Sequence, residues 1–304
     1  MLLDMNENDG MYVKPRILPP SAWLGHIPFA GWLMREFRPR IFVELGAYYG
    51  ASFFAFCQAA VEGGVESKCY AVDTWHGDDH AGIYGEDVFG GVSRYHAENY
   101  ASFSQLMRMT FDEASEAFED DSVDLLHIDG LHTYEAVRHD FELWQPKLSE
   151  RGLVIFHDIM VRGAEFGVWK FWKEISSQYP AFEFRHAHGL GILQVGTEAS
   201  AAFMQLKRAE ESGGARSIRL LFEHLGNQVV SESIIQGLRK SIHDKDNHIE
   251  VLRAAMIEKD RKIEQMSEAV SKEMDEVKAA YSEKTARVAH LEKLLREKVP
   301  PSEQ

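Results

Sequence analysis

Cysteine is almost missing: Cys57 and Cys69 are the only two in 304 residues, and they form no CxxC pair. A disulfide framework is therefore excluded as the organising principle, and a reducing compartment fits. Long hydrophobic runs are missing too. No stretch of about 18 uncharged apolar residues occurs, so no transmembrane helix is expected. The first ten residues are acidic and lack an apolar segment, which argues against a secretory signal. The expectation is a cytoplasmic protein. Positive charge is in deficit, with 33 Lys and Arg against 48 Asp and Glu, a formal net charge of −15. Such a chain repels phosphate backbones and gains nothing from an anionic membrane surface. Sequence-independent nucleic-acid binding and direct membrane insertion are both disfavoured.

What is present is enough apolar material for a filled core: 45% hydrophobic and 11% aromatic residues. It is unevenly placed. All six tryptophans, and every proline but the final pair, lie before residue 200. Beyond it charged residues dominate, and the last glycine is Gly237. The division read from this is an extension over 1–20, an α/β domain over 21–198, a helical linker over 199–234, a coiled coil over 235–298 and a tail over 299–304.

In the first part short apolar runs alternate with helical patterns. Residues 41–45, 69–73, 105–109, 123–128 and 153–157 read as strands, and 182–187 with 191–195 as a closing pair. Helices are expected over 51–62, 133–147 and 164–178. Strands separated by helices predict βαβ units and a mainly parallel sheet. In the tail, Ile235, Ile242, Ile249, Met256, Ile263, Val270 and Val277 recur every seven residues. The companion seam, three residues later, is Leu238, Lys245, Leu252, Lys259, Met266, Glu273 and Ala280. Val288, Leu291 and Leu295 resume the pattern out of register, like a stutter. The heptad predicts a coiled coil about 95 Å long, serving self-association or a partner protein.

Chemistry concentrates at expected strand ends. Glu44-Leu-Gly-Ala-Tyr-Tyr-Gly50 follows a strand and opens a helix. Gly46 permits a tight turn and close ligand approach, and Gly50 close helix packing. Tyr48 stands where a dinucleotide loop has its middle glycine, which disfavours a pyrophosphate and a nicotinamide-dependent oxidoreductase. Glu44 either receives the cofactor's amino acid portion or organises the loop. Asp73, 29 residues on, either binds both ribose hydroxyls or caps a turn. The richest segment is His127-Ile-Asp129-Gly-Leu-His132-Thr-Tyr-Glu135, followed by His157-Asp158 at the fifth strand's end. Asp129, His132, His157 and Asp158 can share one sheet edge, where they could hold a divalent metal or act as acid and base. His127 reads as a packed strand residue and His139 as a surface one. Phe166, Trp169, Trp172 and Ile175 at helical spacing read as a core stripe. The polar loop from Trp75 to Gly91, with His76, Asp78, Asp79, His80, Glu86 and Asp87, reads as a lid or recognition loop.

Taken together, residues 43–52, 71–78, 124–135 and 156–158 resemble a bacterial class I methyltransferase family (methyltransferase family 24-like). Its members often stand beside glycosyltransferases or act in polysaccharide and glycoside biosynthesis. The resemblance spans about residues 20–197. It implies a Rossmann-like, seven-stranded, mostly parallel sheet with the last strand antiparallel, and S-adenosylmethionine as methyl donor. Glu44, Gly46, Ala47, Tyr48 and Gly50 match the cofactor loop, Asp73 and Thr74 the ribose end, and Asp112 a place near the adenine, with Asp129 beside the cofactor. Asp129 and Asp158, with His157 adjacent, match positions that bind Mg²⁺ in related sugar O-methyltransferases. His132 matches a general base, with Asp129 beside it. The resulting expectation is an O-methyltransferase acting on a small-molecule or glycan acceptor. The competing expectation is a non-catalytic scaffold of the same fold that organises a complex through its coiled coil.

Overall fold

The computed structural model describes residues 10–78, 82–163 and 165–298. Seven strands form the central sheet: β1 (Ile41–Leu45), β2 (Lys68–Asp73), β5 (Ser104–Arg108), β6 (Val123–Ile128), β7 (Leu148–His157), β8 (Ala181–Phe184) and β9 (Leu190–Gln194). Two short strands, β3 (Gly77–Asp78) and β4 (Gly82–Ile83), make a separate hairpin. The order across the sheet is β5-β2-β1-β6-β7-β9-β8, and β9 runs antiparallel to both its neighbours. This is a Rossmann-like, mostly parallel sheet, with the expected antiparallel strand.

Helices α1 (Ile27–Phe37), α2 (Ala51–Glu62), α3 (Glu86–Asn99) and α7 (Ala201–Glu211) contribute to one apolar core. Helices α4 (Phe111–Ser115), α5 (Tyr134–Trp144) and α6 (Val168–Ile175) contribute to the other. Alternation along the strands feeds both. Phe42, Leu125, Ile155 and Ile192 belong to the first core; Val43, Leu126, Phe156 and Leu193 belong to the second. Strands buried on both faces read as continuous apolar runs, which is why these segments were recognisable.

The exceptions within the strands are neutralised. Asp124 of β6 is fully buried, and accepts from the Arg40 main chain (2.8 Å), the Arg40 guanidinium (2.8 and 2.9 Å) and Ser149 Oγ (2.6 Å). Burial pushes its carboxyl up, but these bonds outweigh it and bring it down to about 2.

Several elements differ from the sequence pattern. Helix α6 is shorter than 164–178, and Phe166 lies before it. The strand expected over 182–187 ends at Phe184. Much of the expected loop Trp75–Gly91 is built: the β3–β4 hairpin precedes α3, which starts at Glu86. Asp79 and His80 lie outside the described residues. Helix α1 begins with Pro28 in its first turn, where a missing N–H costs nothing, and ends at Arg38 in the left-handed conformation (φ 50°).

The chain divides into two units at Ile235/Gln236. The segment 199–234 lies in the first, where Phe203, Leu206, Ile218 and Phe222 are fully buried in its core. Helix α8 (Ala215–Lys298) continues into the second unit, where every side chain over 236–296 is exposed. Among the described residues, no helix is long and apolar enough to cross a membrane.

Candidate active site

The carboxyl ends of β1, β2, β6 and β7 open onto a cleft of about 560 Å³. Open α/β sheets place ligands there, outside the strand ends where the order of strands reverses.

One end of the cleft is the loop from Gly46 to Gly50. Gly46 has φ 91°, and a Cβ on it would lie 2.2 Å from the Asp129 carbonyl oxygen. Only glycine satisfies both conditions. Gly50 is left-handed as well (φ 77°) and caps α2; a Cβ there would strike the Phe54 ring, so its close neighbour is a side chain of its own helix. Tyr48 takes φ 47° without being glycine. Asp73 holds it there: Oδ2 accepts from the Ala47 and Tyr48 main-chain N–H groups (3.0 and 2.9 Å), and Oδ1 from Trp75 N–H (2.7 Å). Trp75 Nε1 then donates to the Tyr48 carbonyl (2.9 Å). Of the two alternatives for Asp73, these bonds are those of a turn cap. It lines the cleft, and its carboxylate is the fastening of the loop.

Glu44 does not face the cleft. It is fully buried behind the loop, accepting from Ser52 Oγ (2.8 Å) and from His127 Nδ1 (2.9 Å). Glu44 and His127 are direct register partners between β1 and β6. Trp23 Nε1 donates to His127 Nε2 (3.1 Å), so the imidazole carries its proton on Nδ1. Burial pushes the Glu44 carboxyl up. Of the two roles expected for Glu44, the geometry supports organising the loop and not touching a cofactor.

Thr74 lines the same end, with Tyr84. Asp112 lies at the cleft's rim and pairs with His139 Nε2 (3.0 Å).

The other end holds the titratable groups. His132 Nε2 donates to Asp158 Oδ2 (2.9 Å) and lies 3.5 Å from Asp129 Oδ1. Burial pulls the imidazole down, but the two carboxylates outweigh it and push it up to about 10. Phe166 stacks on the His132 ring at 4.8 Å, and Gly167 N–H donates to the His132 carbonyl (2.7 Å). Phe166 therefore backs the His132 ring and is no part of the helical core stripe.

His157 stands apart from the cleft donors. Its Nδ1 faces Asp129 Oδ1 (3.2 Å) and its Nε2 donates to the Ala187 carbonyl (3.1 Å). Its Nε2 proton is committed to that carbonyl, so Nδ1, beside Asp129, is the one ring atom it could turn to a cation. Burial pulls His157 down, yet Asp129 raises it overall; in return Asp129 is held well below the usual carboxylate range. The atoms that lie within 4.8 Å of one another and could share a cation belong to Asp129, His132 and Asp158. Among the described residues this group contains Asp129 and Asp158 of the expected set, with His132 beside them in place of His157.

His188 escaped the sequence reading. Its Nδ1 donates to Asp158 Oδ1 (3.0 Å), and its half-exposed ring lines the cleft. It sits in a turn with three successive left-handed residues, Ala187 (φ 46°), His188 (φ 69°) and Gly189 (φ 89°); Asp158 is left-handed too (φ 60°). His26 and His157 both donate to the Ala187 carbonyl, and His186 Nε2 to that of Gly25 (3.2 Å). Backbone strain of this kind persists where surroundings over-determine it, typically at functional sites.

Residues 43–159 match a family described as a methyltransferase domain. An uncharacterised protein of Sinorhizobium fredii, y4gI, is 50% identical over 190 residues; the match covers 62% of this chain and 21% of the relative, so the chain spans about a fifth of that protein's length. Among solved structures, the S-adenosylmethionine complex of the O-methyltransferase TomG from Streptomyces achromogenes, involved in tomaymycin synthesis, is 12% identical with a TM-score of 0.44, covering 59% of this chain and 82% of that one. The S-adenosylhomocysteine-bound methyltransferase PaMTH1 from Podospora anserina is 12% identical with a TM-score of 0.44, covering 56% and 77%.

Proposed function

We propose that this protein transfers the methyl group of S-adenosylmethionine to a hydroxyl oxygen, with a sugar hydroxyl of a glycan or glycoside as acceptor. The observation that carries this reading is the joining of two ends in one cleft. A glycine loop fastened by Asp73 lies at one end, and the Asp129–His132–Asp158 group at the other. The loop suits a nucleoside without pyrophosphate. The paired carboxylates suit a polyol, whose neighbouring hydroxyls can donate to each.

In the reaction the sulfur–methyl bond breaks as the oxygen–methyl bond forms, and the hydroxyl proton must leave. The donor is already activated, so the protein contributes position and proton uptake. Of the imidazoles that line the cleft, His132 is the one held between Asp129 and Asp158 through a single nitrogen. While Asp129 and Asp158 bind it, it holds a proton and cannot act as base. Acceptor hydroxyls donating to those carboxylates remove the bonds that raise it, and burial then lowers it. The proton on Nε2 then passes to solvent, and the bare nitrogen takes up the hydroxyl proton.

The same donors fit a divalent cation such as Mg²⁺: Asp129, His132 and Asp158 each turn one ligand atom to a common place. A bound cation supplies a Lewis acid that lowers the hydroxyl's pKa. His132 cannot ligate and accept a proton through one nitrogen, so these two roles exclude each other.

The test is calorimetric titration of S-adenosylhomocysteine into the purified chain, beside His132→Ala and Asp158→Asn, followed by MgCl₂ titration of the same samples. Saturable cofactor binding, retained in both variants, supports the reading. No binding by a folded wild type overturns it. Cation uptake lost in His132→Ala as well as in Asp158→Asn assigns His132 as ligand; uptake kept in His132→Ala, or absent from the wild type, leaves it as base.

A further inference from the structure

The heptad seam of the second unit lies open. Ile242 is 60% exposed, Met256 65% and Ile263 55%, and Ile249 is nearly half exposed. A regular apolar row on a charged helix is the signature of a helix that pairs. Which partner fits is decided by the polar members of the pattern.

In a parallel pair, like positions face each other. Lys245 would lie against Lys245 of the second copy and Lys259 against Lys259, both inside the seam. No flanking pair would join opposite charges, since the residues brought together are Ser241 with Asp246, His248 with Arg253, Ala255 with Asp260 and Lys262 with Ser267. In an antiparallel pair the two seams face each other instead, and a lysine meets an apolar side chain along which its stem can lie.

We propose that two copies of this chain associate as an antiparallel coiled coil over residues 235–266, centred between Glu250 and Val251. Ile249 then packs on Leu252 of the second copy, Ile263 on Leu238 and Ile235 on Met266, while Lys245 and Lys259 lie along Met256 and Ile242. The flanking positions Arg239, Asp246, Arg253 and Asp260 alternate in sign. At this centre Arg239 faces Asp260 of the second copy, and Asp246 faces Arg253. Sliding one heptad one way sets Arg253 against Arg253 and Asp246 against Asp260. Sliding it the other way sets Asp246 against Asp246 and Arg239 against Arg253. Opposed like charges are the usual device against a wrong register. In the single chain Arg253 donates to Glu250 (2.7 Å), an exposed pair that gives way at little cost. The paired length is about 48 Å.

The test uses the full chain, whose native cysteines are buried. Light scattering at micromolar concentration gives the mass. Leu238→Cys and Ile263→Cys variants are then oxidised alone and mixed. A dimer that cross-links only in the mixture is the expected result. A monomer, self-cross-linking of either variant, or a dimer that does not cross-link in the mixture overturns the proposal. As a check that spares the seam, Asp246→Arg weakens association by roughly tenfold or more, and adding Arg253→Asp restores it; failure of the swap to restore also overturns it. Cofactor binding is read separately, so this result is independent of the methyl-transfer reading.

Discussion

Asp73 accepts the main-chain N–H of Tyr48 at 2.9 Å, and through that bond a non-glycine residue is kept at φ 47° in the loop from Gly46 to Gly50. The same carboxylate takes two more main-chain donors. Asparagine offers one acceptor oxygen where two are in use. Asp73→Asn is therefore expected to be nearly as damaging as Asp73→Ala, each lowering affinity for S-adenosylhomocysteine at least about tenfold, since bonds to charged acceptors are worth about 1.5–3 kcal/mol. Calorimetry on both variants checks this. Wild-type affinity in Asp73→Asn would mean that the loop is held by something else.

Gly46→Ala combines a left-handed φ with a Cβ set against the Asp129 carbonyl. We expect a loss of roughly 1–3 kcal/mol in stability and weakened cofactor binding. Urea unfolding with unchanged slope measures the first. A midpoint equal to that of the wild type would contradict the stated backbone geometry.

Asp140 on α5 is buried; burial is the main force that raises its carboxyl to about 7, with Asp112 adding to it and His139 opposing. In the unfolded chain it ionises near 4, so the folded state binds the extra proton between about pH 4 and 7. Stability falls as pH rises through that window, and the deficit is complete above 7. Asp140→Asn removes the ionisable group. It should raise unfolding free energy by roughly 2 kcal/mol at pH 8 and by little at pH 4. Equal effects at both pH values would sink this assignment.

Asp124 carries the opposite sign. Its carboxyl is held down to about 2, chiefly by Arg40 and Ser149 working against burial. Its contribution is present in full above about pH 4 and is lost as pH falls through 2. Asp124→Asn should cost about 2–3 kcal/mol at pH 7, and the two proteins should converge toward pH 2. Thermal melts across that range measure it.

The strands of the sheet were legible because apolar runs closed by glycine are what a doubly covered parallel sheet requires. Asp129, His132 and Asp158 were legible because strand ends at one edge must share a cleft. Between the two roles expected for Glu44 the sequence could not choose, for want of a visible partner. Only the register pairing of β1 with β6 reveals that His127 meets it inside the sheet. Phe166 fitted a helical stripe, but Gly167 stands between it and α6, and its ring turns to His132. The run Gly82–Gly91 looked like loop, yet Gly90 and Gly91 sit inside α3, where a Cβ would meet nothing within 4 Å. His188 depended on the long-range return of β9. The one local sign was His-Ala-His-Gly before a strand, a place where a left-handed turn can form.

Two imidazoles from outside the turn bearing His188, those of His26 and His157, hold its Ala187 main-chain carbonyl, while His186 and Gly189 are fixed by their own contacts. The grip on the turn does not depend on the side chain at 188, and the cleft has an exchangeable rim at that one position. The left-handed backbone at position 188 narrows the alphabet to residues that tolerate it, with asparagine, aspartate and glycine the mildest replacements. Diversification of the cleft wall could therefore proceed one residue at a time at this place, on a scaffold that need not be rebuilt for each new surface.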